Sequence, residues 1–279
     1  MDKPNFPGFS PLGPSLSDGD FLTVLKSHGY EVAPRLAAAA AKFEAEAHRG
    51  TIATEGTTVL AVKYKDGVLV AGDRRATAGN VVMYERAEKL INIDSHSILA
   101  IAGVPAVAFE MARVLEHSFK YYQRSQLQEM STSGKVRSLS KLLKENLPLT
   151  LQGVGMVVPV FATYEHANGK DSGGKVYFYD ALGANFEGVD YCASGSGSPA
   201  VRSVLHYLNN WGGKPLARYT EGEMIIAALR LLDTAADTDT ATSGYNPKTN
   251  IFPIVRVITK EGVREIEESE LSRAYRTEV

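Results

Sequence analysis

The run Glu55-Gly56-Thr57-Thr58-Val59-Leu60-Ala61-Val62 joins a residue without a side chain to a threonine that opens an alternating, β-branched segment. The chain before it is rich in proline, glycine and alanine. The chain after it carries the periodic apolar patterns of a folded domain. A threonine hydroxyl is a weak nucleophile unless a neighbouring base takes its proton, and that base is usually a histidine held by a carboxylate. A free α-amino group can do the same work, because its ordinary pKa of about 7.7–8.0 lies close to neutral pH. Scission between Gly56 and Thr57 would therefore put nucleophile and base on one residue. Gly-Thr is equally a plain entry into a strand, so its meaning has to come from the rest of the chain.

Upstream, residues 1–16 hold Pro4, Pro7, Pro11 and Pro14 with Gly8 and Gly13, a composition that cannot sustain a helix or core strand. Ser17-Asp18-Gly19-Asp20 offers N-caps for a short helix through Phe21, Leu22, Val24 and Leu25, ending near Gly29. A second helix is expected from Pro34 to about Ala47; it is rich in alanine and glutamate and short of large apolar residues. Residues 1–56 thus have the character of an appended segment. They show no basic stretch followed by an apolar one, so no secretory signal is expected.

With 30 basic and 32 acidic residues in 279, the net charge of −2 gives no reason to expect nucleic acid or an anionic membrane as partner. The longest apolar run, Val154 to Ala162, is about half of what a membrane span needs. A single cysteine, Cys192, excludes an internal disulfide, suits a reducing cytoplasm, and is expected as a small buried apolar residue on a strand. A cytoplasmic protein is the expectation.

Downstream, Thr58–Tyr64 and Gly67–Gly72 form a hairpin pattern around Lys65-Asp66-Gly67, and residues 89–93 and 97–102 form a second around Asp94-Ser95-His96. Helices are expected at about Pro105–Tyr122 and Lys135–Gln152, the latter bent or interrupted by Pro148. Strand patterns return at 155–163, 175–180 and 188–193; two helices follow at about 199–208 and 221–236, then strands at 252–259 and 262–266. Hairpin pairs and helix pairs alternate in blocks. That order argues for antiparallel sheets with helices packed outside, an α+β fold, and against a doubly wound parallel sheet.

Several motifs fail on chemistry. Gly169-Lys170-Asp171-Ser172-Gly173-Gly174-Lys175 has phosphate-loop spacing, but Val176 stands where a hydroxyl should hold magnesium, and both flanks have strand patterns. It is better explained as a polar hairpin tip. Ser194-Gly195-Ser196-Gly197-Ser198 lacks the first glycine of a nucleophile elbow. The six histidines show no metal-ligand pairing, and Asp233 to Asp239 does not complete a calcium loop. Neither a metal nor a cofactor is expected.

What remains is a constellation. Thr57-Thr58-Val59-Leu60-Ala61-Val62-Lys63-Tyr64, Val70-Ala71-Gly72-Asp73-Arg74-Arg75-Ala76-Thr77, Lys89-Leu90 and Ile101-Ala102-Gly103 stand at fixed distances, with Asp73 16 positions after Thr57 and Lys89 a further 16 on. On these residues and spacings, nearly all of 57–266 closely resembles the β-subunits of the proteasome core particle, the threonine-protease branch of the N-terminal nucleophile hydrolases. The resemblance implies a four-layer αββα sandwich of two antiparallel sheets flanked by helices. It implies Thr57 as nucleophile, with Lys89, held by Asp73, placing a positive charge beside the amine and hydroxyl to lower their pKa values. Gly103 would offer its backbone N–H to the oxyanion. Ser196 would bond the terminal amine, with Asp239 and Thr242 supporting it, and the backbone of Thr77 would pair with an extended substrate strand.

By the same resemblance, Ala76, Ala87 and Ile101 would line the pocket for the side chain preceding the cut, with Lys89 near its floor. Small apolar walls fit a large hydrophobic side chain and offer no carboxylate to a basic one, hence an expected chymotrypsin-like preference. Two positions depart from the family pattern: Pro105 replaces a small alanine whose N–H bonds substrate, and Ser243 replaces a glycine after Asp239-Thr240-Ala241-Thr242.

The family further implies a zymogen, with residues 1–56 a propeptide removed by self-cleavage at Gly56–Thr57 and residues 57–279 the catalytic domain. It implies four stacked heptameric rings, α7β7β7α7, built with α-subunits and other β-subunits, and an ATP-dependent unfoldase feeding unfolded proteins to the chamber. The Arg74-Arg75 pair resembles actinobacterial proteasomes, where substrates carry a Pup-type tag. One alternative is the bacterial threonine peptidase that pairs with an ATPase and lacks α-subunits, whose chain is shorter and propeptide minimal. The other is a non-catalytic ring subunit, which should lack Thr57, Asp73 or Lys89; all three are present.

Overall fold

In the computed structural model, residues 56–78, 81–166, 173–277 and 279 are described. The two helices expected before Ala47 and most of the Gly169–Gly174 tip lie outside the described residues.

Twelve strands and six helices follow. The strands are β1 (Thr58–Tyr64), β2 (Gly67–Gly72), β3 (Ala76–Ala78), β4 (Val81–Tyr84), β5 (Leu90–Asp94), β6 (Ser97–Ala100), β7 (Val160–Glu165), β8 (Gly173–Tyr179), β9 (Asn185–Gly188), β10 (Tyr191–Gly195), β11 (Ile254–Thr259) and β12 (Gly262–Glu265). The helices are α1 (Pro105–Gln126), α2 (Thr132–Glu145), α3 (Leu147–Leu151), α4 (Ser198–Trp211), α5 (Glu221–Thr238) and α6 (Glu268–Thr277). One five-stranded sheet has the order β10-β1-β2-β11-β12, a second the order β5-β6-β7-β8-β9, and β3 pairs with β4 alone; every pairing is antiparallel.

Strand periodicity builds three apolar layers, since successive side chains point to opposite faces. From β1, Leu60, Val62 and Tyr64 pack with Leu69 and Ala71 of β2 against α4, α5 and α6. Their alternates, Val59, Ala61, Val68 and Val70, face Ile98 and Ala100 of β6 and Val160 and Ala162 of β7 between the sheets. Leu99 and Phe161, on the far side of the second sheet, pack under Leu115 and Phe119 of α1 and Leu139 and Leu143 of α2. The order helices, sheet, sheet, helices is the expected αββα sandwich. β1 and β2 are buried on both faces, which is why they are near-continuous apolar runs in the sequence. Cys192 sits between the sheets on β10, and burial, opposed by the charges of Lys63 and Arg202, pushes its thiol up to about 12.

Several boundaries move. The expected 135–152 helix is two: α2 stops at Glu145 and α3 begins at Leu147, because Pro148 has no N–H to give the carbonyl four residues back. The freed Asn146 instead ties its side-chain amide to Gly155 O. The 188–193 strand is likewise two, β9 ending at Gly188 and β10 starting at Tyr191. The 155–163 strand starts only at Val160, although Val157 makes an isolated bridge to Gly103. The β3–β4 hairpin and α6 carry no expectation from sequence: all four β4 side chains are exposed, so the strand lacks a buried face. Among the described residues, no helix is long and apolar enough to cross a membrane.

Candidate active site

Thr57 immediately precedes β1, an interior strand of the first sheet, and the two strands flanking β1 deliver its neighbours. Pairing with β2 sets Val59 opposite Gly72, so Asp73 falls beside Thr58: Asp73 N donates to Thr58 O at 3.1 Å, and Thr58 N donates back to Asp73 Oδ1 at 2.9 Å. Pairing with β10 sets Thr58 opposite Gly195, so Ser196 falls beside Thr57, whose peptide N–H donates to Ser196 Oγ at 3.3 Å. Thr57 is 5% exposed and Asp73 is fully buried.

Lys89 leads into β5, with its carbonyl accepting from Ile101 N at 2.9 Å. Its Nζ donates to Asp73 Oδ1 at 2.7 Å and to Arg75 O. A buried ion pair is stable only when its remaining hydrogen-bonding positions are filled. Asp73 meets that condition, since Oδ2 also accepts from Arg75 N at 2.9 Å and Ser243 N at 3.2 Å. The Lys89–Asp73 pair is thus a fixed charge cluster beneath the first residues of β1.

A second carboxylate closes the other side. Asp239 ends α5, and its Oδ2 accepts from Ser196 Oγ at 2.5 Å and Thr242 Oγ1 at 2.6 Å while Oδ1 accepts from Ala241 N at 3.1 Å. Burial opposes ionisation here, yet the hydrogen bonds from Ser196, Thr242 and Ala241, helped by the Lys89 charge, hold the carboxyl below its ordinary range. Such a depressed group stabilises the fold at neutral pH, and its contribution is lost as the pH falls through the depressed value.

Gly103 lies just after β6 with φ of 110°, a region favouring glycine. Its bridge to Val157 is made by Val104 N donating to Met156 O and Val158 N to Ala102 O. That pattern turns the Gly103 N–H away from Val157, and among the described residues nothing accepts from it. A Cβ here would come within 2.1 Å of Met156 O.

The remaining expected residues gather more loosely. Ala76 and Thr77 lie on β3, Ala76 half-buried and Thr77 buried, with Thr77 Oγ1 accepting from Gly56 N at 3.2 Å. Ala87 N donates to Arg74 O at 3.0 Å, and Ile101 is tied to Lys89 as above. Gly56 is closely confined: a Cβ there would fall 1.8 Å from Ala241 Cβ.

Sequence reasoning missed three contributors. Arg75, noted only as half of a basic pair, donates from Nη1 to Thr240 O and Thr242 O at 3.0 and 3.3 Å, binding the Asp73 loop to the Asp239 turn. Ser243, noted as a departure, donates its backbone N–H to Asp73 Oδ2 as a glycine could, but its Oγ also accepts from Arg74 N at 3.3 Å, a tie that glycine would lack. Thr58 is fully buried among these groups. No local signal marks any of them, because their partners lie 139 to 184 positions away or follow from strand register. Pro105 occupies the first turn of α1, where a missing N–H costs the helix nothing. No cluster of three or more metal-binding side chains occurs among the described residues.

The family described as "Proteasome subunit" matches residues 53–246. The chain is 39% identical over 220 residues to "Proteasome subunit beta 2" of Thermomonospora curvata, covering 78% of this chain and 74% of that one. It is 37% identical to "Proteasome subunit beta" of Jonesia denitrificans, covering 81% and 72% of the two chains. Against "Proteasome subunit beta 1" of Streptomyces avermitilis the identity is 36%, with 77% and 73% covered.

Proposed function

The chain belongs to the proteasome subunit family and is a β-type subunit of a proteasome core particle, and from that premise we propose that it is a self-activating threonine endopeptidase. The carrying observation is that Thr57 N donates to a serine already anchored on the Asp239 carboxylate, while the buried Asp73–Lys89 pair is hydrogen-bonded to the next residue.

In the uncut chain the Thr57 nitrogen is an amide with no basic lone pair, so hydrolysis of other chains is off. Attack of Thr57 Oγ on the Gly56 carbonyl, followed by hydrolysis of the resulting ester, frees the amine and removes residues 1–56. In each later cycle the amine takes the hydroxyl proton as Oγ attacks the scissile carbonyl. The Gly103 N–H stabilises the oxyanion, and Lys89 stabilises the negative charge that develops at Oγ and keeps the amine unprotonated and ready to act as base. Collapse releases the downstream peptide with the proton on its new amine. Water, deprotonated by the same α-amine, then hydrolyses the acyl-threonine.

Residues 1–56 act as a propeptide that keeps the peptidase silent until assembly with α-type and other β-type subunits into α7β7β7α7. An ATP-dependent unfoldase supplies unfolded, Pup-tagged chains, in the cytoplasm. N-terminal sequencing of the assembled protein tests the reading: Thr57 as first residue is the expected result, together with a covalent adduct on Thr57 from a hydroxyl-directed inhibitor. A persistent intact leader in a complete assembly would overturn it.

Two further outcomes are expected. Gly56→Ala pushes a methyl into Ala241 and displaces the bond to be cut, and a displacement of about 1 Å can cost about 100-fold in rate. A time course of leader loss should therefore slow markedly, with the mature protein, once formed, as active as wild type. The small walls Ala76, Ala87 and Ile101 favour cleavage after Phe, Tyr or Leu. A fluorogenic peptide panel cut best after Arg or Asp would refute that preference.

A further inference from the structure

Thr58, the residue after the proposed nucleophile, is tied to both carboxylates of the site. Its backbone N–H donates to Asp73 Oδ1 at 2.9 Å. Its Oγ1 lies 2.6 Å from Thr242 Oγ1 and accepts from Gly197 N at 3.1 Å. The proton positions in this chain are fixed by elimination. A carboxylate only accepts, so the single hydroxyl proton of Thr242 is committed to Asp239 Oδ2 at 2.6 Å. Thr242 then has only lone pairs to offer, and Thr58 must donate to it. Ser196 likewise gives its proton to Asp239 at 2.5 Å, leaving a lone pair for Thr57 N–H. The result is a directed circuit: Gly197 N–H to Thr58, Thr58 to Thr242, Thr242 to Asp239, Ser196 to Asp239, and Thr57 N–H to Ser196.

We propose that the Thr58 hydroxyl is a positioning group for the reaction: it anchors Gly197 N, and with it the adjacent Ser196, and fixes the orientation of Thr242, so that the Thr57 nitrogen is held by a single acceptor geometry. The proposal rests on the reading of Thr57 as nucleophile. Thr58 itself touches no reacting atom. Without its hydroxyl, the Gly197 N–H loses its acceptor in a buried setting and the Ser196 loop is free to shift. Backbone contacts to Asp73 are unaffected, so substrate binding should be preserved while the chemical step suffers.

The experiment uses the assembled particle carrying Thr58→Val, which keeps the shape and removes the hydroxyl, or Thr58→Ser, which keeps the hydroxyl and removes the methyl. Free Thr57 termini are counted by N-terminal sequencing, and kcat and KM for a hydrophobic peptide are measured per free terminus beside wild type and Thr57→Ala. Thr58→Val is expected to lower kcat about tenfold or more with KM unchanged, and Thr58→Ser to retain most of kcat. Should Thr58→Val fail to assemble, Thr58→Ala takes its place under the same criteria. Wild-type kcat in the hydroxyl-free variant, or an equal loss in Thr58→Ser, overturns the proposal while leaving Thr57 as nucleophile. A wild-type particle with free Thr57 and no Thr57-dependent hydrolysis overturns the nucleophile reading itself.

Discussion

Thr57→Ala is expected to leave all 279 residues in place and to abolish peptide hydrolysis, with a loss of at least about 1000-fold. On the proposed mechanism the substitution removes the hydroxyl that attacks the Gly56 carbonyl and, in the same stroke, prevents release of the amine that would serve as base. The fold should be indifferent to it, because the β1 pairings start at Thr58 and the apolar layers at Val59 and Leu60. Thermal melting and assembly should therefore match wild type while sequencing still finds the leader. Thr57→Ser retains a hydroxyl and should still lose residues 1–56. A Thr57→Ala protein that still starts at residue 57, or still cuts hydrophobic peptides, would remove the self-scission mechanism altogether.

Asp73→Asn should damage both chemistry and stability. The carboxylate accepts four hydrogen bonds: Thr58 N and Lys89 Nζ on one oxygen, Arg75 N and Ser243 N on the other. An amide can accept through only one of its two positions; the other would point its own N–H bonds at donors. Lys89, 4% exposed, would also lose the Asp73 charge that lies 2.7 Å from its Nζ. Breaking such a buried pair by removing one partner costs about 3–5 kcal/mol. Melting temperature should fall clearly, and the rate of leader removal should drop by about 100- to 10,000-fold as the charge beside Thr57 loses its fixed place. Wild-type melting together with wild-type processing would show that the pair is incidental to the site.

The stretch around Thr57 made much of the fold legible because its signals are local. β1 and β2 match their expected bounds, since a β-branched run, a Lys65-Asp66-Gly67 turn and a second apolar run specify a hairpin without help from elsewhere. The order of hairpin pairs and helix pairs was enough to choose antiparallel sheets. Where tertiary context decided, local pattern fell short. The β4 strand has no buried face, α6 carries only a thin apolar stripe with Leu271 as its buried residue, and β9 and β10 divide where the chain crosses from one sheet to the other.

The site divides along the same line. Thr57, Asp73, Lys89 and Gly103 fall within 47 positions of one another, and the resemblance to proteasome β-subunits rests on that short-range spacing, which a sequence displays directly. The side chains that hold them were not: Thr58 meets Thr242 across 184 positions, and Arg74 meets Ser243 across 169. A hydroxyl in a sequence does not declare whether it gives or takes a proton. The packing of β1 between β2 and β10, with the end of α5 laid against it, supplies the partners, and partners alone give each hydroxyl its direction.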